Sequence, residues 1–402
     1  MTERDAVDIL SRAGNPNSFR SAIRAWLNGA LPPTWPEQAT DGSEDAYVEL
    51  QRWWFSECRK AGLVLPGIDK RFGGGGLSVE CQMIIVEEFA RAGAPPLQTA
   101  MFTVSLTHVP TTLLAWGTPE QQRNYLPGVL AGDVWCQGFS EPGAGSDLAS
   151  LRTRAVRQGS CYVVNGQKIW SSYSRYAKYC LLLVRTDVDA PKHNGISYLI
   201  LDMKSPGVEV RPIRQVTGHS EFGEIFLTDV RVPIDNLIGP ENKGWAVAQS
   251  TLAAERGVLA FERAERQRRN VEEYLRGALA SRAAWTHSSK SRGEFVSLIG
   301  DMQAVRRLIR RLLLTDPHQS GSAMLPAMIK LLSTTLVQRY ADLQVRLEGL
   351  PGQLCGASHM IDGHVPMHDY LQSFGDTIAA GSNEIMRSLI AERKLGLPRD
   401  RR

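Results

Sequence analysis

Near the C-terminus the chain reads GDTIAAGSNEIMRSLIAERKLG (375–396), a small-residue loop, AAGS, running into helical periodicity with Glu384 in the first turn. A carboxylate so placed can act as a base, or it can pair with the helix dipole or cap the turn, which requires no ligand. A second candidate is WCQGFSEPGAGSD (135–147), followed by NGQKIWSSYS (165–174). Its lone G-x-G lacks both the third glycine and an acid about 20 positions on, so a dinucleotide would have to be held by other means than a Rossmann cradle. FGGGG (72–76) has no G-K-[ST] and follows no strand, and it reads as a turn. The six cysteines include no C-x-x-C pair. Metal spacing is absent, and free thiols in a reducing cytoplasm are expected.

Three kinds of segment must position these residues. From 17 to about 130 the apolar residues recur at helical spacing, as in NSFRSAIRAWLNGAL, where Asn17 or Ser18 is the expected cap before the stripe Phe19, Ile23, Trp26, Leu27 and Leu31. From about 133 to 240 the period shortens. ASLRTRAVRQGSCYVVNGQKIW (with NGQ read as a turn), YCLLLVRT, ISYLILD, VEVRPI and EIFLTDVRVP predict a compact antiparallel β unit. From 241 onward helical patterns return, beginning with a long run from Gly244 to Ala280, and HSSKSRGE (287–294) and DPHQSG (316–321) read as loops. The arginine clusters 268–269, 306–307 and 310–311 read as solvated or interface faces.

Composition narrows the function. At 402 residues the chain is long enough for two or three structural units. A net charge of +4, without a basic run interleaved with aromatics, argues against nucleic acid as a partner. The start, MTERDAVDIL, has no basic and apolar leader pattern, and the longest apolar runs are too short for a membrane span. A cytoplasmic protein without a metal is the expectation.

The ordered motifs carry a resemblance. WCQGFSEPGAGSDLASLRTRA with NGQKIWSSYS, the approach GTPEQQRNYLPGVLAGD (117–133) and the exit EFGEIFLTDVRVPIDNLIGPENKGWAVAQSTLAAERG (221–257) together resemble the acyl-CoA dehydrogenase family over nearly the whole chain. The resemblance implies an α+β fold: an N-terminal helical domain (1–132), a middle β-barrel domain with the flavin ring site (133–240) and a C-terminal four-helix bundle (241–402). It implies FAD, an acyl-CoA substrate, α,β-dehydrogenation to the trans-2-enoyl-CoA and an electron-transfer flavoprotein as acceptor. It places Phe139, Ser140, Trp170 and Ser172 on the flavin ring, Ser382 and Glu384 at the cofactor's far end, and Ser146 on the CoA arm. Where many members carry a glutamate base in Y-E-G-T, this chain has Ala379, Ala380, Gly381 and Ser382. Other members carry the base in an E-R pair about ten residues after G-W, which here is Glu255 with Arg256 beside it, toward the substrate. The apolar surroundings LAAERGVLAF suit a desolvated carboxylate of raised pKa, as a base on a thioester α-proton requires.

Two motifs depart from the family pattern. R-x-x-F-G, which holds a neighbouring subunit's FAD pyrophosphate, has only Arg292 in KSRGEFVSLIGDM (290–302). Q-x-x-G-G, which receives the adenine half, is RLEGL (346–350), with Arg346 for Gln and Leu350 for the second Gly. This implies a hetero-oligomer with a related chain, as in the branch acting on steroid side chains, with a homotetramer as the alternative. A bulky or ring-bearing acyl group goes with that branch. A non-catalytic partner subunit and a same-fold flavin oxidase or monooxygenase remain as competing readings.

Overall fold

Asn15 opens the first long helix, α1 (Pro16–Ala30), by accepting from the backbone N–H of Asn17 and Ser18, both at 3.0 Å. The cap is therefore neither Asn17 nor Ser18 but lies two or three residues earlier, because Pro16 at N1 needs no N–H partner and fixes φ for the first turn. Phe19, Ile23, Trp26 and Leu27 are buried as the stripe requires, while Leu31 is the extended C-cap residue. The computed structural model describes residues 9–32, 44–254, 257–315, 324–354 and 365–398.

The remaining helices are α2 (Glu44–Lys60), α3 (Val79–Ala92), α4 (Val109–Trp116), α5 (Pro119–Ala131), α6 (Gly244–Ala254), α7 (Val258–Ala280), α8 (Ser289–Leu314), α9 (Leu325–Glu348), α10 (Pro366–Ile378) and α11 (Asn383–Arg393). The long helical run expected from Gly244 to Ala280 is interrupted: Gly257 takes φ −95°, ψ −130°, outside the helical region. The FGGGG segment is a turn, with Gly73 left-handed at φ 83° closing a short 3₁₀ stretch capped by Asp69.

Between the helical stretches lies one seven-stranded sheet: β1 (Trp135–Gly138), β2 (Arg154–Gln158), β3 (Cys161–Ser172), β4 (Tyr179–Arg185), β5 (Ile196–Asp202), β6 (Val208–Ile213) and β7 (Phe222–Pro233). Its order is β1-β4-β2-β3-β7-β6, with β5 beside β4. Most pairs are antiparallel, but β1 and β4 run parallel from Trp135↔Tyr179 to Gly138↔Leu182. A parallel pair needs a long connection, which the 40-residue excursion through β2 and β3 provides. β4 is buried along nearly its whole length, as its YCLLLVR run of apolar residues demands. NGQ is not a turn: β3 continues through it with a bulge between Val164 and Gly166, and the hairpin turn is at Gly159 instead. Gly166, at φ 153°, lies against Thr153, where a Cβ would come within 2.7 Å of the threonine Cα.

The chain groups into two compact units. One contains the sheet and is built from 48–77 and 97–254, with 9–11. Its core is Cys136, Tyr162, Val164, Leu182, Leu199 and Leu227 with their neighbours on the strands. The other is helical, built from 12–32, 44–47, 78–96 and the described residues from 257 onward. Phe261, Tyr274, Trp285, Phe295, Ile309 and Tyr340 centre its core. Several of its arginines are not simply solvated. Glu88 accepts from Arg20, Arg24 and Arg91 at 2.6–2.7 Å, and Glu265 pairs with Arg268 and Arg306.

Candidate active site

In the sheet unit, the segment after β1 and the bulged end of β3 form one polar-edged wall. Ile169 N donates to Ser140 O at 2.9 Å, which lays Phe139–Ser140 beside Lys168–Trp170. Phe139 is buried edge-on to Tyr198, with ring centroids 5.7 Å apart, and Ser140 is half-buried. Trp170 has φ 61° in the register shift between Lys168 and Ser171, and its side chain is 55% exposed. A left-handed φ at a bulky residue is strained, and a bulge is a device for re-aiming a side chain. The bulge presents a flat indole to solvent, edge-on to Phe222 at 6.0 Å. Ser172, half-buried, is paired with Phe222 in β7. Ser146 is exposed on the loop that follows the Glu141↔Ala144 bridge.

Behind this wall is a pair that the sequence did not single out. Lys168 is fully buried and donates to Glu141 Oε1 at 2.7 Å and to the Phe139 carbonyl at 3.2 Å. Glu141 also accepts from the backbone N–H of Arg152 at 2.6 Å and Thr153 at 2.8 Å. Burial works against its charge, yet the Lys168 ammonium and these donors hold its carboxyl below the ordinary value. Burial lowers the Lys168 ammonium, with Glu141 opposing the shift. The pair locks the Phe139–Glu141 segment onto β3. Nothing local marks the lysine, because its neighbours in β3 include Asn165, Gln167, Ser171 and Ser172.

The C-terminal loop lies in the helical unit. Ala380 (φ 55°) and Gly381 (φ 87°) are both left-handed, and the turn delivers Ser382 as the cap of α11, accepting from Ile385 N at 3.3 Å. Asn383, buried at the first position, accepts from Lys330 Nζ at 3.1 Å and Thr334 Oγ1 at 2.9 Å, while Lys330 also reaches the Thr377 carbonyl at 3.3 Å. Lys330 thus ties the end of α10 to the start of α11. The Glu384 side chain is 76% exposed and ion-pairs with Arg387 at 3.1 Å. Its own backbone N–H holds its carboxyl below the ordinary value, with Ser382 and Arg387 adding to that. An exposed, acid-shifted carboxylate is a poor proton acceptor. Glu255 and Arg256 lie outside the described residues.

The two altered motifs border a groove of about 700 Å³ between α8 and α9, lined by Glu294, Ser297, Arg339, Asp342 and Arg346 among others. Arg346 is engaged, donating to Asp342 at 2.9 Å and Glu294 at 3.0 Å. Arg292 donates to the Thr286 carbonyl at 3.3 Å. The arginines standing nearest to an anion clamp are thus already bonded within the unit. Among the described residues no three His, Cys, Asp or Glu side chains gather as a metal site, and no helix is long and apolar enough to cross a membrane. Cys58, Cys81, Cys136, Cys161 and Cys180 are free and buried.

Comparison with known proteins gives three family matches along the chain: the acyl-CoA dehydrogenase N-terminal domain at 16–133, the middle domain at 136–230 and the C-terminal domain at 242–395. The acyl-CoA dehydrogenase IpdE1 of Mycobacterium tuberculosis is 36% identical over 392 residues, covering 95% of this chain and 98% of the relative. Among solved structures, the Tcur3481–Tcur3483 steroid ACAD superposes with a TM-score of 0.82 at 29% identity, covering 96% of this chain and 98% of that one. The ChsE4–ChsE5 complex of Mycobacterium tuberculosis superposes with a TM-score of 0.80 at 29% identity and the same coverage.

Proposed function

The chain belongs to the acyl-CoA dehydrogenase family, and from that premise we propose that it is an FAD-dependent enzyme desaturating an acyl-CoA thioester to the trans-2-enoyl-CoA. The observation that carries the cofactor reading is the exposed Trp170 on its positive-φ bulge, one residue beyond Ile169, whose N–H bonds to the Ser140 carbonyl. A flat apolar face edged by hydroxyls suits a planar, polar-rimmed ring. In this reading Phe139, Ser140, Trp170 and Ser172 contact the flavin ring, and Ser382 and Glu384 serve its far end through the start of α11. FAD when bound supplies the hydride acceptor for the β-carbon. The chain supplies the rest: Glu255 takes the α-proton as the C=C bond forms, and Ser146 and Arg256 hold the thioester substrate. Lys168 and Glu141 keep the ring-contacting segment rigid, so that its donors are oriented before the reaction begins. The functional domains in this reading are 1–132, 133–240 and 241–402.

The solved steroid dehydrogenases favour a bulky, ring-bearing acyl group as substrate. Electrons leave to an electron-transfer flavoprotein, and the enzyme works in the cytoplasm. Arg292 and Arg346, bonded within their own unit, favour a hetero-oligomer in which a related chain clamps the FAD seated on this chain's sheet. The two-chain ChsE4–ChsE5 complex is a precedent for such pairing. The expected composition is a heterotetramer with one FAD per two chains; mass and flavin-to-protein ratio test it, and a homotetramer with one FAD per chain rules it out. For the chemistry, Glu255→Gln removes the proton acceptor at constant volume. Dye reduction with an accepted acyl-CoA should fall by about 10²-fold or more at unchanged flavin content. Near-normal turnover removes Glu255 from the mechanism.

A further inference from the structure

We infer that a buried hydroxyl cluster, Thr112–Thr251–Tyr198, positions the end of α6, and that Thr251 is the positioning residue through which it acts. The inference rests on reading Glu255 as the proton acceptor. All three side chains are fully buried. Thr251 Oγ1 lies 2.6 Å from Thr112 Oγ1 on α4, 3.5 Å from the Tyr198 hydroxyl on β5 and 3.1 Å from the Val247 carbonyl one turn back. With Thr251 donating to Val247 O, its oxygen accepts from Thr112. Burial pushes the Tyr198 phenol far up, so it remains a neutral donor at working pH.

The placement gives the cluster its meaning. Thr251 is in the last turn of α6, three residues before Ala254, which is bonded to Glu255. Gly257 is non-helical, so the end of α6 is not carried by an unbroken helix running on into α7. Its position depends on what grips α6 within the sheet unit. At the start of α6, Gly244 lies so close to β5 that a Cβ would come 2.5 Å from the Ser197 carbonyl carbon. At its end, Ser250 accepts from the Trp116 indole at 2.8 Å, and Thr251 bonds across to α4. Tyr198 then links this end of α6 to Phe139, whose ring it meets edge-on. One cluster therefore connects the helix that leads to Glu255 with the segment assigned to the flavin ring. Valine would fill the Thr112 and Thr251 positions with similar volume. The hydroxyls add a directional bond that fixes the rotation of one helix against the other, which apolar packing alone does not.

The test uses the flavin-loaded enzyme, complexed with any partner it requires, with an accepted acyl-CoA and its α-deuterated form. Thr251→Val removes the hydroxyl at constant shape, and Thr251→Ser keeps it. Thr251→Val should lower kcat per flavin by roughly ten- to a hundredfold with KM changed by less than about twofold, because a small misplacement acts on the reacting geometry rather than on binding. The isotope effect on kcat should rise, and Thr251→Ser should stay within about threefold of wild type. Wild-type kcat in Thr251→Val overturns the inference. So does equal damage in Thr251→Ser, and so does a loss confined to flavin content and melting temperature. Glu255→Gln, assayed alongside, separates the premises. If it is active, both the base assignment and this inference fail. If it is inactive while Thr251→Val is normal, only the inference fails.

Discussion

In the sheet unit a single buried ammonium, Lys168, meets a single carboxylate, Glu141, with two backbone N–H groups completing the set. In the helical unit, by contrast, Glu88 takes three guanidiniums, one of which, Arg20, also pairs with Glu87, while Arg306 of α8 bridges Glu87 and Glu265 and Arg268 of α7 pairs with Glu265. The first arrangement is compact, dry and confined to the wall that carries Trp170. The second is spread over several helices and reaches solvent through long arginine side chains. A minimal pair fails completely when one member is lost. A network with several donors fails by degrees. Rigid orientation is thus concentrated where the ring chemistry is assigned, and tolerance where helices only need to stay together.

The sharpest way to break that contrast is Lys168→Met. It leaves Glu141 buried and unpaired and should cost about 3–5 kcal/mol in denaturant unfolding, with flavin content falling in parallel. Adding Glu141→Gln should recover part of the loss, since the uncompensated charge causes most of it. A cost below about 1 kcal/mol with full flavin would show that the wall does not depend on the pair.

The network should respond less abruptly, and its response can be followed by pH. Burial opposes the charge of Glu88, but Arg24, Arg91 and Arg20 hold its carboxyl at about 2, below its ordinary 4.5. A depressed carboxylate contributes stability that is present above the unfolded value and lost as pH falls toward the folded one. The gap in melting temperature between wild type and Glu88→Gln should therefore be constant from pH 7 to about 5 and close between about 4.5 and 2. A gap that stays open at pH 2 would mean that the glutamine damages packing rather than charge.

Much of this was legible in the sequence where the determinants are local. The helical, β, helical order follows from the period of apolar residues, and Ser382 with Glu384 sits at a helix start as the AAGS loop suggested. The segments around Phe139 and Trp170 are short motifs that could be read without knowing their pairing. What was not legible depends on distant partners. Lys168 reads as an exposed strand lysine until β3 is laid against the segment 27 residues earlier. Thr112 and Thr251 are 139 residues apart and look like ordinary helix threonines. The parallel β1–β4 pair is non-local in the same way, and the helix break at Gly257 is hidden by residues on both sides that favour helix.

The smallest expected effect belongs to Glu384, and it concerns the opposite pole of the comparison. Its side chain is exposed, it ion-pairs with Arg387 a turn along, and its carboxyl is held low by its own backbone N–H at the start of α11. Such a residue adds little to the stability of a helix end, and salt screens what it adds. Glu384→Gln should therefore leave kcat per flavin unchanged and weaken flavin retention only slightly, with the difference shrinking as ionic strength rises. Flavin release on dilution at two salt concentrations, paired with turnover at full occupancy, measures both effects. If turnover collapses while flavin stays bound, the proton acceptor lies in the C-terminal loop after all, and both Glu255 and the positioning role of Thr251 lose their basis.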